Sequence, residues 1–374
     1  MKRGSIANRL LDRYIGIPIL YSSSLLARRR KYPHRPQRIG LMASPTLGDT
    51  LINSVAVQDV RNHYPNAHII YIASKTNSAA AKLLPCVDEI VYVSITDPLR
   101  SIRVLRRSRL DILIDFTSWQ RITAFYTASS GAKYRVGFRT PNQYRHWHYD
   151  LCVDHSSAVH EVENFRNLLR ALGLKPSASP KVNLPECQVL QLEPCARRIV
   201  FHPWATGDRH ALREWSAAKW VELAQAFNHS GTQFVVTGAP SQLARSKSLC
   251  ESLQRADINA VPFVSPDGLA SLGAMLLKAD LVISVNTGIM HLSAILGAPT
   301  IALNGPNSSH RWGPLGPRAA AVDPHGGGGG FLHLGFEFPG NPTDTMERTR
   351  VEDVVRTAYQ LVPELAPKTL AHAH

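Results

Sequence analysis

The sequence predicts two α/β domains in tandem, each built on a parallel, doubly wound sheet, and three observations carry that prediction. Short apolar runs alternate with helix-like segments from residue 38 to about residue 138. A Pro-, Ser- and Gln-rich stretch from about 176 to 194 then breaks the pattern, and a second alternating series occupies 198–303. Runs of four to seven apolar residues without strict alternation suit strands buried on both faces, and their alternation with helices is the mark of βαβ units. A chain of 374 residues has room for two such cores.

In order, strands are predicted at 39–43, 68–73, 89–93, 110–116 and 134–138, with a helix over 51–63. The second series places strands at 198–202, 233–237, 281–285 and 300–303, with helices starting near Ser216, Pro240, Asp267 and Gly288. An amphipathic helix over 350–361 closes the fold. Gly326 to Gly330 reads as a mobile loop rather than a phosphate cradle, because no strand-to-helix context surrounds it. The resulting division is an extension over 1–36, a first domain over 37–180, a linker over 181–195, a second domain over 196–349 and a closing helix and tail over 350–374. Two doubly wound domains facing each other leave a cleft at the carboxyl ends of their strands.

Composition narrows the function. The chain is 44% apolar and 19% charged, a soluble globular balance, and its formal net charge of +14 implies anionic partners: nucleic acid, acidic lipid or phosphorylated substrates. Five scattered cysteines form no C-x-x-C pair, which argues against a disulfide framework or a structural zinc site and fits a reducing cytoplasm. The apolar segment 15–27 is interrupted by Pro18 and three serines, and it falls short of the ~20 residues a membrane span requires. With Arg28-Arg29-Arg30-Lys31 following it, the segment reads either as an interfacial anchor for an anionic leaflet or as a helix packed on the domain surface with a solvated basic end.

Three loops carry chemistry. The richest is the strand–turn–helix stretch around Asn286-Thr287-Gly288-Ile289-Met290-His291. A Thr-Gly turn opening a helix aims unpaired backbone N–H groups and the positive end of the helix dipole at one point, which suits a phosphate. The second, Ser44-Pro45-Thr46-Leu47-Gly48-Asp49-Thr50, brings Asp49 to a helix start, where it serves either as a general base toward a substrate hydroxyl or as a helix N-cap. The third, from His202 through Thr206 to Arg213-Glu214-Trp215, combines small hydroxyl residues with an arginine whose fork fits a diphosphate; its bland alternative is a surface cation beside core tryptophans. No loop ends in Gly-Lys-Ser/Thr and none matches G-x-G-x-x-G, which disfavours ATP hydrolysis and hydride transfer.

Together these pieces resemble glycosyltransferase family 9, the heptosyltransferases of bacterial lipopolysaccharide synthesis, over roughly 38–361. The strand and Gly-Asp helix start at 39–49 match the family's N-terminal pattern. The loop 202–215 matches its His/Pro loop, with Arg213 where the best-known members carry lysine, and 286–291 matches its Asp-Thr-Gly-x-x-His motif with Asn286 in place of the aspartate. Even the segment 12–18 is similar to a leader in some members. The resemblance implies a GT-B architecture, two Rossmann-like domains facing a central cleft, and an inverting transfer that needs no metal or other cofactor.

On that reading Asp49 is the catalytic base, and Thr206, Arg213, Asn286, Thr287, Gly288 and His291 bind the nucleotide-sugar donor, ADP-heptose first among them. The Asn286 departure bears on the donor sugar, since an amide keeps one acceptor, adds a donor and removes a charge. Gly48, Arg135 and Arg139 are expected on the acceptor side, where the basic excess would attract an anionic glycolipid at the inner face of the bacterial inner membrane. Nucleic acid is not an expected partner, since no binding motif or aromatic-basic repeat accompanies the charge. Alternatives are a transferase with another nucleotide sugar, a nucleotide-sugar epimerase and a noncatalytic envelope-assembly protein that keeps the fold.

Overall fold

The structure, a computed structural model, describes residues 10, 12–25, 29–187, 193–207, 209–265, 267–338 and 344–367. It divides into two compact units, Met1–Asn183 and Leu184–His374.

The first unit runs α1 (Gly16–Ser24), β1 (Arg38–Met42), α2 (Leu47–Ile52), α3 (Ser54–His63), β2 (His68–Ala73), α4 (Ser78–Ala81), β3 (Glu89–Tyr92), α5 (Pro98–Arg107), β4 (Ile112–Asp115), α6 (Arg121–Ser129), β5 (Tyr134–Arg139), β6 (Leu151–Asp154) and α7 (Glu161–Ala171). Its strands are all parallel in the order β3-β2-β1-β4-β5-β6. The strand order reverses between β1 and β4, so the loops that leave these two neighbours diverge to opposite faces and open a crevice at their carboxyl ends.

The second unit repeats the plan with β7 (Arg197–His202), α8 (Ala217–Ala226), β8 (Thr232–Gly238), α9 (Leu243–Gln254), β9 (Ala260–Val264), α10 (Leu269–Leu277), β10 (Leu281–Val285), α11 (Gly288–Ile295), β11 (Thr300–Leu303), α12 (Ser309–Trp312), β12 (Ala319–Val322) and α13 (Val351–Leu361). The parallel order β12-β11-β10-β7-β8-β9 is the same winding, and its switch point lies between β7 and β10. Its core packs Phe201 against Trp220 with tilted rings and centroids 4.8 Å apart, and Trp220 is fully buried; truncating such a ring to alanine costs about 3–5 kcal/mol.

The expected strands are present within one or two residues. The helix expected over 51–63 is instead two helices, α2 and α3, meeting at Asn53. The first begins at Leu47 because Thr46 caps it: the Thr46 hydroxyl accepts from the Asp49 N–H at 3.0 Å. Strands β6, β9 and β12 have no counterpart in the apolar pattern. Each is a sheet edge, half exposed, with a weak strand signal: β6 closes on Asp154, β9 carries Pro262 and β12 three alanines, where the central strands carry branched apolar runs. The glycine run 326–330 lies outside helix and strand, and its end is tied to the turn between β11 and α12, where Gly330 N donates to Gly305 O at 2.9 Å. All five cysteines are free.

Candidate functional site

Each unit carries its chemistry at its own switch point. In the first, the loop after β1 is braced from both sides. Pro45 O accepts from Thr76 Oγ1 at 2.9 Å, and Ser44 Oγ accepts from Gln120 Nε2 at 3.3 Å, the latter from the loop after β4. Below the loop, Thr50 Oγ1 donates to Thr46 O at 2.7 Å and accepts from Asn77 Nδ2 at 2.8 Å. With Thr46 as the N-cap, Asp49 occupies the third helical position, which corrects its reading as the cap. Its carboxylate therefore sits at the positive end of α2 on a rigid turn, half exposed, with the fully buried Tyr71 hydroxyl close beneath. Burial, and to a lesser degree the Asp49 charge, hold that phenol neutral by raising its pKa. Gly48 is the residue before, on the same turn.

The partner loop after β4 is organised by a cluster that sequence reasoning missed. Asp115 and Arg145 are both fully buried and bonded at 2.7 Å. Asp115 also accepts from Tyr149 Oη at 2.7 Å, from Thr117 N at 2.9 Å and from Thr117 Oγ1 at 2.6 Å. The one available signal was a carboxylate closing an apolar strand. Arg135 does not join the site. It is the second residue of β5, away from the carboxyl edge, and its guanidinium grips Asp150 at 3.0 and 3.2 Å with both side chains buried. This corrects its assignment to the acceptor. Arg139, at the carboxyl end of β5, is exposed and only loosely paired with Asp154 at 3.5 Å.

In the second unit, the loop after β7 is held by Glu214. Its carboxylate accepts from Ala205 N at 2.8 Å and from Arg245 at 2.5 Å, and it lies 3.2 Å from His210 Nδ1. Arg245 in turn lies over the Trp204 ring at 4.0 Å. His202, buried at the end of β7, meets Thr237 Oγ1 at 2.9 Å, and burial pushes its pKa down to about 4. Gly207, with φ +92°, supplies the left-handed turn that an L side chain resists. Thr206 is exposed at the loop tip, and its carbonyl accepts from Arg213 Nη2.

The neighbouring strand β10 ends in Asn286-Thr287, and α11 starts at Gly288. Thr287 is the N-cap by backbone but makes no side-chain cap bond, and its buried Oγ1 has no hydrogen-bond partner among the described residues. The first-turn N–H groups of α11 are thus left uncapped by that side chain. His291, 4% exposed, lies one turn in. Asn286 is 8% exposed, and its Nδ2 donates to Asn304 Oδ1 at 2.7 Å and to Trp312 O at 3.0 Å. The amide nitrogen is therefore a clasp between β10, the end of β11 and α12. Sequence reasoning missed Asn304 and the buried Arg311 beside Trp312. Among the described residues, no group of three His, Cys, Asp or Glu side chains is placed to hold a metal ion.

Two Rossmann-order units, one with a carboxylate on a strand-to-helix turn and the other with an uncapped helix start beside an arginine loop, define a glycosyltransferase of the GT-B class. The family model for glycosyltransferase family 9 (heptosyltransferase) matches residues 99–326, and the chain belongs to that family. It is 25% identical over 306 residues to lipopolysaccharide heptosyltransferase 1 of Salmonella typhimurium, covering 76% of this chain and 93% of the relative. Among solved structures, ADP-heptose LPS heptosyltransferase II of E. coli superposes with a TM-score of 0.69 at 19% identity, over 87% of this chain and 99% of that one. E. coli heptosyltransferase WaaC with ADP does so with a TM-score of 0.65 at 20% identity, over 88% and 100%.

Proposed function

We propose that the protein transfers heptose from ADP-heptose to a lipopolysaccharide core or related anionic glycolipid at the inner face of the bacterial inner membrane, inverting the anomeric centre without a metal ion. The uncapped start of α11 at the second switch point, with the partnerless Thr287 hydroxyl, carries this reading. Its N–H groups and Arg213 receive the negative charge of the departing ADP. Gly288, without a side chain, lets the diphosphate approach the backbone, and Thr206 and His291 line the same site. On the first unit Asp49 takes the proton of the acceptor hydroxyl as that oxygen bonds to the anomeric carbon. The bond from that carbon to the diphosphate oxygen breaks with its electron pair leaving on ADP. Gly48 and Arg139 flank the acceptor. The family relatives named above support the donor and acceptor classes.

A second reading keeps the reaction and changes the sugar, and the engaged amide of Asn286 favours it. The test is thermal stabilisation by ADP-, GDP-, UDP- and CMP-sugars and their free nucleotides, with and without EDTA, followed by the anomeric configuration of the product. Selective stabilisation by ADP-heptose that EDTA leaves unchanged, with an inverted product, is the expected result. Selectivity for another nucleotide sugar establishes the second reading. No response to any of them, together with no turnover, favours a noncatalytic protein.

A further inference from the structure

Helix α1 and the helical residues just before it have two unlike sides. The inner side is tied down. Leu20 is buried against Ala124 and Tyr149, and His148 Nε2 lies 2.9 Å from Leu20 O and 3.0 Å from Ser23 Oγ. Asp12 caps the start of α6, accepting from Arg121 N at 3.0 Å and Ile122 N at 3.2 Å, and pairs with the Arg121 guanidinium at 3.0 Å. The outer side is apolar. At about 100° per residue, positions 10, 14, 18, 21 and 25 fall within roughly 80° of one another. They are Leu10, Tyr14, Pro18, Tyr21 and Leu25, all exposed, with Tyr14 at 70% and Leu25 at 71%. Ile15 and Ile19 widen the stripe, and no acidic residue interrupts it. Arg13, Arg29, Lys31 and Arg35 are exposed around it.

A large apolar stripe on a helix whose other side is firmly docked is not residue left over from packing. We propose that this stripe is a membrane-docking surface: α1 lies in the interface of an anionic bilayer, its apolar side chains at the acyl boundary and its flanking cations on the anionic headgroups. Charge selects this occupant over a second copy of the chain, because a symmetric self-contact would set the flanking cations of two copies against each other. The helix lies on the bilayer and does not cross it: α1 has nine residues, and no described helix is long and apolar enough to span. The purpose of the surface rests on the glycolipid-acceptor reading. Asp12 holds the first turn of α6, and Gln120, the residue before that helix, holds Ser44 in the Asp49 loop. Seating α1 on the bilayer therefore seats, through direct hydrogen bonds, the loop that carries the base for a lipid-anchored acceptor.

The test is co-sedimentation of the full chain with phosphatidylethanolamine vesicles, with and without phosphatidylglycerol. Binding is expected to require the anionic lipid and to weaken as salt rises. The Tyr14→Ser/Ile19→Ser/Leu25→Ser variant, which keeps the Tyr21 ring packed on Trp147, should partition at least about tenfold more weakly, with its melting temperature and its stabilisation by ADP unchanged. Arg29→Glu with Lys31→Glu leaves the stripe intact and should weaken low-salt binding by about tenfold or more. Three results overturn the proposal: no sedimentation with anionic vesicles, undiminished binding of the triple variant, or stripe-dependent dimerisation without lipid. The ADP arm separates the two readings, since a wild-type chain that binds vesicles but not ADP loses the donor assignment and keeps the docking surface.

Discussion

The side-chain amide nitrogen of Asn286 donates to the backbone carbonyl of Trp312 across 3.0 Å, joining the end of β10 to α12. Aspartate cannot make that bond. Asn304, whose Nδ2 has no partner among the described residues, can turn its amide to face a new carboxylate, but the Trp312 carbonyl cannot become a donor. Asn286→Asp is therefore expected to cost about 1–3 kcal/mol in urea unfolding and to raise the donor KM. An Asp variant as stable as the parent, with tighter binding of ADP-heptose, would show that the clasp is dispensable.

Replacing Asp49 separates chemistry from folding. Thr46, not Asp49, caps α2, so Asp49→Asn removes the proton acceptor and leaves the cap in place. We expect kcat to fall by about 10²–10⁴ while the melting temperature and ADP stabilisation stay near those of the parent. Steady-state kinetics alongside a thermal scan checks this, and a kcat within a few-fold of wild type would dismiss Asp49 as the base.

The two arginines of β5 should part company. Arg135→Gln leaves Asp150, with a 1% exposed side chain, without its ionic partner and is expected to cost about 3–5 kcal/mol with the acceptor KM unchanged. Arg139→Gln, at an exposed pair, should change stability by less than about 1 kcal/mol and raise the acceptor KM. Denaturant titration and acceptor kinetics on both variants read the difference. The reverse pattern would return Arg135 to the acceptor site.

His202 makes stability depend on pH. Burial depresses its pKa in the folded state to about 4, against 6.5 for an unperturbed imidazole, so the unfolded chain binds the extra proton first as pH falls. Its contribution is complete above pH 6.5 and is lost as pH falls toward 4, by at most about 3 kcal/mol. His202→Asn, which keeps an amide near the Nδ1 position facing Thr237, should flatten the stability profile between those pH values relative to the parent. Unfolding free energies from denaturant titration that fall in parallel with pH for the two proteins would show that His202 does not titrate there.

Much of this protein was legible because much of it is local. A buried parallel strand writes itself as a continuous apolar run, and a strand-to-helix turn writes its Thr-Gly or Gly-Asp beside it, so the central strands and the turns bearing Asp49 and Thr287 could be read directly. Even the Thr46 cap stands three residues before Asp49 in plain view, though the aspartate drew the cap assignment. What tertiary structure alone decided are the partners. The side chains of Arg135 and Arg139 are chemically identical, and only the pairing of β5 with its neighbours buries one on Asp150 and leaves the other at the carboxyl edge. Asp12 meets Arg121 across 109 residues, Arg145 meets Asp115 across 30, and Asn286 meets Trp312 across 26. A side chain's chemistry is carried by its own position in the chain, but whether its charge is buried, paired or left open depends on which distant segment packs against it.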